Sequence, residues 1–308
     1  TVSLMQALPR SGIARLRVEP SEAVLKEVRY AALLHDFGKV GVREAVLLKA
    51  KKISDERFEA IEYRIDLVKE RMRRRALEKE LAIVHEGGDL VEGRQLIHRN
   101  LERDLSRLED FREAIKRANA PSVVHGGDFS HLQEIAEYPY LERDGTISGL
   151  ISADDMLSLS VRRGSLTPEE RREIQSHVIH TREFLSALPW PPELAGVPRI
   201  AVGHHEKLDG SGYPDGLVGE QIPIPTRAMT VCDIFDALTA RDRPYKASVS
   251  RESAFDILRE EAKAGLLDED IVGIFIDSFG YAAELAVPYS APGQLANEHT
   301  HGADSRPH

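Results

Sequence analysis

Two short stretches carry residue pairs suited to chemistry rather than packing. His35-Asp36 lies in AALLHDFGK (31–39), and His204-His205 lies in HHEKLDGSGYP (204–214). Imidazole nitrogens and carboxylate oxygens suit iron, manganese and zinc alike. Two such metals a few ångströms apart can activate a water and hold a phosphate for in-line attack. The pattern therefore points to a binuclear metal site capable of phosphodiester hydrolysis.

Two further residues extend the set. His177 falls on the apolar face of a helical stretch with Ile174, Val178, Thr181 and Leu185, and Asp233 falls on an inward face of another. A lone histidine on such a face is usually a packed core residue. The joint set His35, Asp36, His177, His204, His205 and Asp233 offers more N and O donors than one open metal site needs, so two ions are expected, with Asp36 suited to bridge them. His180 reads as a partly exposed helix residue. His85, His98, His125 and His131 lack carboxylates at ligand spacing, and His299, His301 and His308 fall in a polar tail.

The elements that must position these groups are helical. Ser21 is an N-cap signal, followed by Val24, Leu25, Val28, Ala31, Ala32 and His35 on one stripe, in a helix ending near Gly38. Thr167-Pro168-Glu169-Glu170 combines N-cap, N1 proline and N3 glutamate, and starts the helix carrying His177. A helix over about 193–205 delivers His204-His205, and one over 226–240 carries Asp233 and Asp236. Between these halves, Ser54 opens a long amphipathic run (Phe58, Ile61, Ile65, Val68, Met72). Glycines at 87, 88 and 93 punctuate it, and a second run follows (Leu96, Leu101, Leu105, Leu108, Phe111, Ile115), which together read as a helical hairpin. Residues 121–162 read as irregular, with a tight turn at Asp144-Gly145 and a short helix at 153–159. The expected organisation is all-α: a discontinuous helical bundle from 1–50 and 163–290, a helical insertion at 51–162, and a disordered tail at 291–308.

Bulk properties narrow the classes. The 308 residues are 42% hydrophobic and 30% charged, as in globular chains. A net charge of −10 argues against binding duplex nucleic acid, which requires a positive surface. The single Cys232 excludes an internal disulfide and fits a reducing compartment, with the cytoplasm expected. No apolar run is long enough to span a bilayer. The chain begins with Thr rather than Met, as a fragment or processed product would.

These residues resemble the HD-GYP family of the HD hydrolase superfamily. The resemblance rests on HDFGK, on LTPEER leading to His177, on HHEKLDGSGYP, and on DIFDALTARDRPYK (233–246). It implies an all-helical bundle with two or three metals, often iron or manganese, with zinc a further option, that hydrolyses cyclic dinucleotides, chiefly cyclic di-GMP to pGpG or GMP. It implies His35, Asp36, His177, His204, His205 and Asp233 as metal ligands. Asp36 and Lys39 become catalytic, with Lys39 neutralising phosphate charge. Gly210, Tyr213, Asp236, Arg243 and Lys246 become substrate-binding candidates, and Asp209 and Asp236 candidates to orient ligand histidines. Family members usually carry an earlier histidine ligand, and no histidine precedes His35. Two alternatives stay open: a phosphodiesterase for another cyclic dinucleotide such as cyclic GMP-AMP, and a sensor module without turnover. The insertion at 51–162 is a candidate surface for a homodimer or regulatory partner, unless its apolar stripes pack on the parent bundle.

Overall fold

A computed structural model describes residues 1–17, 19–87, 89–121, 126–240 and 249–280. In chain order the helices are α1 (Val2–Ala7), α2 (Glu22–Leu34), α3 (Glu44–Leu47), α4 (Asp55–Glu86), α5 (Leu90–Asn119) and α6 (Gly126–Glu137). The strands β1 (Pro139–Leu141) and β2 (Ile147–Gly149) follow, then α7 (Ala153–Leu159), α8 (Pro168–Ser186), α9 (Val197–Val202), α10 (Ile224–Thr239), α11 (Arg251–Lys263) and α12 (Glu269–Gly280). The expected all-α class holds, with one small antiparallel hairpin. The expected tail at 291–308, and Arg243 and Lys246, lie outside the described residues.

The cap signals act as read. Ser21 accepts from Val24 N, Ser54 from Arg57 N, and Thr167 with Glu170 forms a capping box that starts α8. Two helix ends differ from expectation. α2 stops at Leu34 rather than near Gly38, and 37–41 is a 3-10 turn. The cause is tertiary: Gly38 is pressed so closely on α8 that an added Cβ would lie 1.9 Å from His177 O. The stretch expected as one helix over 193–205 is broken into a 3-10 turn (Pro192–Leu194), α9, and a second 3-10 turn (Gly203–His205).

Apolar side chains gather in two clusters. One joins Leu4, Leu16, Val28, Ala31, Leu185, Ile200, Met229, Leu258 and Phe275, drawn from α1, α2 and α8–α12 with the turn at Leu16. The other joins Ile53, Ile61, Ile65, Leu108, Phe111, Ile115, Leu132, Ile135, Tyr140, Leu150 and Leu159. The stripes of α4 and α5 therefore close on α6, the β-hairpin and α7, and not on the first cluster. Ile61 is buried, Phe58, Leu101 and Leu105 are half-buried, and Leu77, Leu81 and Val84 on the far half of α4 stay exposed.

The irregular reading of 121–162 is corrected. α6 buries Leu132 and Ile135, and the hairpin pairs Tyr140 with Ser148. Three-residue strands are too short for alternation to reveal. The Asp144-Gly145 turn and α7 stand where expected, with Gly145 at φ +87.

A buried charge cluster ties the N-terminal segment to α10 and α12. Asp268 accepts from Arg15 Nη2 (2.5 Å) and Arg227 Nη1 (3.0 Å), and from Ile271 N. Burial raises the Asp268 pKa, but the two guanidiniums outweigh it and hold the carboxyl below its ordinary range. Removing one partner of a buried pair costs about 3 kcal/mol or more because it strands the other charge. Asp268→Asn should cost roughly that much in urea unfolding. The carboxylate's contribution is present above the ordinary carboxylate pKa of about 4 and fades as pH falls through its depressed value. The gap between wild type and variant should accordingly narrow on acidification.

Candidate metal centre

Four elements converge. The end of α2 presents His35 and Asp36, α8 presents His177, the turn after α9 presents His204 and His205, and α10 presents Asp233. His35 Nε2 lies 3.4 Å from Asp36 Oδ2 and 3.4 Å from Asp233 Oδ1. Asp36 Oδ1 lies 3.4 Å from His177 Nε2 and 4.0 Å from His204 Nε2. Asp36 thus faces three histidines with its two oxygens. Two overlapping donor groups, His177/His204/His205 and His35/Asp36/His204, each lie within 4.8 Å. All six expected ligands meet in one place.

Three of the histidines are aimed by the same local device. The Nδ1 of each donates to the carbonyl three residues back: His35 to Ala32 O (2.7 Å), His177 to Ile174 O, and His204 to Ala201 O (2.6 Å). A carbonyl can only accept, so Nδ1 carries a proton in each, and in His177 and His204, whose pKa values are lowered, Nε2 keeps its lone pair toward the centre. This overturns the expectation that Asp209 and Asp236 orient ligand histidines. Asp209 is exposed and caps its own turn by accepting from Ser211 N and Oγ (2.9 and 2.7 Å). Asp236 is exposed on α10. Backbone carbonyls fill the role those carboxylates were given.

The charge state suits a cation. Burial lowers the His35 pKa, but Asp233 and Asp36 outweigh it and raise it to about 10. Burial, then the His35 charge, pushes His204 down to about 4. Burial and neighbouring His204 push His205 down. Asp36 is held below the carboxylate range by His35 and Lys39 against burial, and Asp233 by His35 and His204 against burial. The Nε2 atoms of His177 and His204 are buried with no hydrogen-bond partner in the protein. A stranded buried polar atom costs about 1–3 kcal/mol. Neutral imidazoles with unused lone pairs beside ionised carboxylates are a donor set that a divalent metal satisfies.

Lys39 borders the cluster, its Nζ 2.5 Å from Asp36 Oδ2, and is partly exposed. The loop after His205 folds back on it. Tyr213 N donates to His205 O (3.2 Å), and the Tyr213 ring lies 4.8 Å from the His205 ring. Gly210 (φ +82) turns the chain, and a Cβ on Gly212 would meet Lys207 N at 2.3 Å. Two residues escaped the functional reading of the sequence. Thr181 was read only as part of an apolar face. Its Oγ1 accepts from Gly38 N (2.9 Å) and donates to His35 O (3.0 Å). Glu206 is buried and accepts from Asp215 N (2.7 Å) and Leu217 N (2.9 Å). A charged residue at 2% exposure is the structural mark of such a role, and sequence alone does not reveal burial. His180 is partly exposed beside Ser176, and His98 pairs with Glu80 on the hairpin, both away from the centre.

The HD domain family model matches residues 148–271. That span holds His177, His204, His205 and Asp233, and leaves His35-Asp36 outside. The chain is 44% identical over 97 residues to "3'3'-cGAMP-specific phosphodiesterase 3" of Vibrio cholerae, covering 32% of this chain and 20% of that protein. It is 42% identical over 101 residues to "Cyclic di-GMP phosphodiesterase response regulator RpfG" of Xanthomonas campestris, covering 33% of this chain and 26% of the relative. Against "3'3'-cGAMP-specific phosphodiesterase 2" of Vibrio cholerae it is 33% identical over 184 residues, 52% of this chain and 34% of the relative. The chain thus spans between 20% and 34% of the length of these relatives. No helix among the described residues is long and apolar enough to cross a membrane.

Metal binding to such a cluster must displace the proton held by His35. Divalent-metal affinity, measured by competition with a chelator dye, should rise steadily from about pH 6 to pH 9. A flat profile would contradict the raised His35 pKa.

Proposed function

We propose that this chain, which carries an HD domain of the HD-GYP type, hydrolyses the phosphodiester bonds of a cyclic dinucleotide, cyclic di-GMP in the first instance, to pGpG or GMP. The observation that carries the reading is the convergence of His35, Asp36, His177, His204, His205 and Asp233 around unpartnered ring nitrogens. In this reading the six residues would hold two divalent metals, iron or manganese before zinc. Such ions would supply an acidified water and charge stabilisation for the phosphate oxygens.

The chain's own groups do the rest. Ala32, Ile174 and Ala201 carbonyls keep three imidazoles in the tautomer that can ligate. Asp36 and Asp233 supply the negative charge that keeps cations there. Lys39, close to Asp36 and open to solvent, is placed to bind a non-bridging phosphate oxygen as charge builds on it. The water oxygen bonds to phosphorus as the P–O bond to the ribose 3′ oxygen breaks, one water proton ends on that leaving oxygen and the other passes to solvent, and the ring opens to a linear dinucleotide with a 5′-phosphate. Tyr213 packs on His205, and Gly210, Asp236, Arg243 and Lys246 are assigned to the substrate, the last two to its second phosphate, on sequence grounds alone.

The relatives named for 3'3'-cGAMP favour a second substrate reading with the same residues. A sensor without turnover is the remaining alternative. The proposed organisation is a bundle from 1–50 and 163–290, with 51–162 as an insertion available to a second copy or a regulator. The reducing cytoplasm, inferred from the lone Cys232, is the proposed compartment.

The test is turnover by the purified chain loaded anaerobically with Fe(II) or Mn(II), with cyclic di-GMP and 3′,3′-cGAMP offered side by side and products separated by chromatography. Metal-dependent linear product from either is expected, and none from the His204→Ala/His205→Ala variant or from Asp36→Ala. Lys39→Ala should lower kcat by about 100-fold, the scale of losing one charge stabiliser. Bound substrate without product despite bound metal would establish the sensor instead.

A further inference from the structure

His205 is the exception among the four clustered histidines. His35, His177 and His204 each have Nδ1 tied to a backbone carbonyl three residues back. Among the described residues no comparable hydrogen bond holds the His205 ring. What flanks it is aromatic: the His204 ring at 4.0 Å on one side, the Tyr213 ring at 4.8 Å with a 30° tilt on another, and the His177 ring edge-on at 5.2 Å. A histidine without an Nδ1 partner can rotate about χ2 and swap which nitrogen faces the centre. Packing must do here what hydrogen bonds do for the other three.

Tyr213 can do this only if its loop is held down, and the hold is specific. Glu206, the residue after His205, is 2% exposed, and its two carboxylate oxygens accept separately from Asp215 N (2.7 Å) and Leu217 N (2.9 Å). Those amides lie just beyond Tyr213. On the near side Tyr213 N donates to His205 O (3.2 Å). Gly212 lets the loop press against the 206–207 backbone, where a Cβ would come within 2.5 Å of Glu206 Cα. The residues on both sides of Tyr213 are therefore fastened to the His205-Glu206 backbone, which leaves its ring little freedom to leave His205.

We infer that Glu206 and Tyr213 are positioning residues for His205: Glu206 clamps the 210–217 loop so that the Tyr213 ring fixes the His205 imidazole as a metal ligand. The inference rests on the proposed two-metal reading of the cluster. Its consequence is selective. His35, Asp36 and the carbonyl-tied His204 do not depend on the loop, so losing the clamp should empty the metal position that uses His205 and spare the other.

The test is metal content and spectroscopy rather than activity. Wild type, Tyr213→Phe, Tyr213→Leu and Glu206→Gln are loaded anaerobically with Mn(II), desalted, and measured by elemental analysis and by EPR, which separates a spin-coupled pair from an isolated ion. Wild type should hold about two ions per chain in a coupled pair. Tyr213→Phe should match it, because the ring and not the hydroxyl faces His205. Tyr213→Leu and Glu206→Gln should fall to about one ion with an uncoupled spectrum, at unchanged helical circular dichroism. A coupled pair retained in Tyr213→Leu would overturn the inference, as would a lost pair in Tyr213→Phe. Wild type holding fewer than two ions would instead overturn the two-metal reading beneath it.

Discussion

The centre depends on the close seating of Gly38 against α8. Residues 38 and 181 are 143 positions apart, yet Gly38 N and His35 O share the one hydroxyl of Thr181. Two buried backbone groups of the turn that carries His35-Asp36 are thereby satisfied by the helix that carries His177. The fit leaves no room for a side chain at 38, since a Cβ would overlap His177 O and Thr181 N. Because His177 and Thr181 are one helical turn apart, the contact that fixes the backbone of His35-Asp36 also fixes its distance from His177. Asp36 faces both His177 and His204 because this seating puts it there.

The chain is also fastened where it leaves for, and returns from, the long segment between Lys49 and Ser165. The entropic cost of closing a loop grows slowly, about 0.6 kcal/mol per doubling of length, so an inserted segment is tolerable if its two ends are held. They are held near the start of α8: Lys49 Nζ reaches both oxygens of Glu170 at 2.7 Å, and Ser165 Oγ donates to Lys49 O. Glu170 is also the N3 residue of the α8 capping box. The same carboxylate thus starts the helix that delivers His177 and anchors the chain as it leaves for the insertion. Beyond that point α4, α5, α6 and α7 satisfy their apolar faces on one another, through Ile61, Leu108, Leu132 and Leu159.

The clustered His and Asp residues and the helices carrying them were legible in the sequence because each is announced locally. Ser21, Ser54 and Thr167-Pro168-Glu170 mark helix starts by side-chain chemistry that needs no tertiary context. His-Asp and His-His pairs stand out because packing gives no reason for them. What escaped was set by contacts distant in sequence. The end of α2 depends on α8, the shape of 126–149 depends on the second cluster, and the burial of Glu206 depends on a loop returning to it. The misassignment of Asp209 and Asp236 has the same origin. Carboxylates near histidines suggest an outer layer by composition, but the i−3 carbonyls are present in every helix and leave no trace in residue type.

The boundary of the family match points the same way. It begins at 148, within β2, and so takes in α7 and the link to α8 while leaving His35-Asp36 aside. A linear comparison has to cross residues 51–147 to reach that dipeptide, whereas the fold spans them with the Thr181 and Ser165 hydroxyls and the Glu170 carboxylate. The HDFGK stretch meets the matched residues because Thr181 bonds across the gap and Asp36 Oδ1 faces both His177 and His204. Convergence in space, rather than continuity along the chain, is what brings His35-Asp36 to His177 and His204.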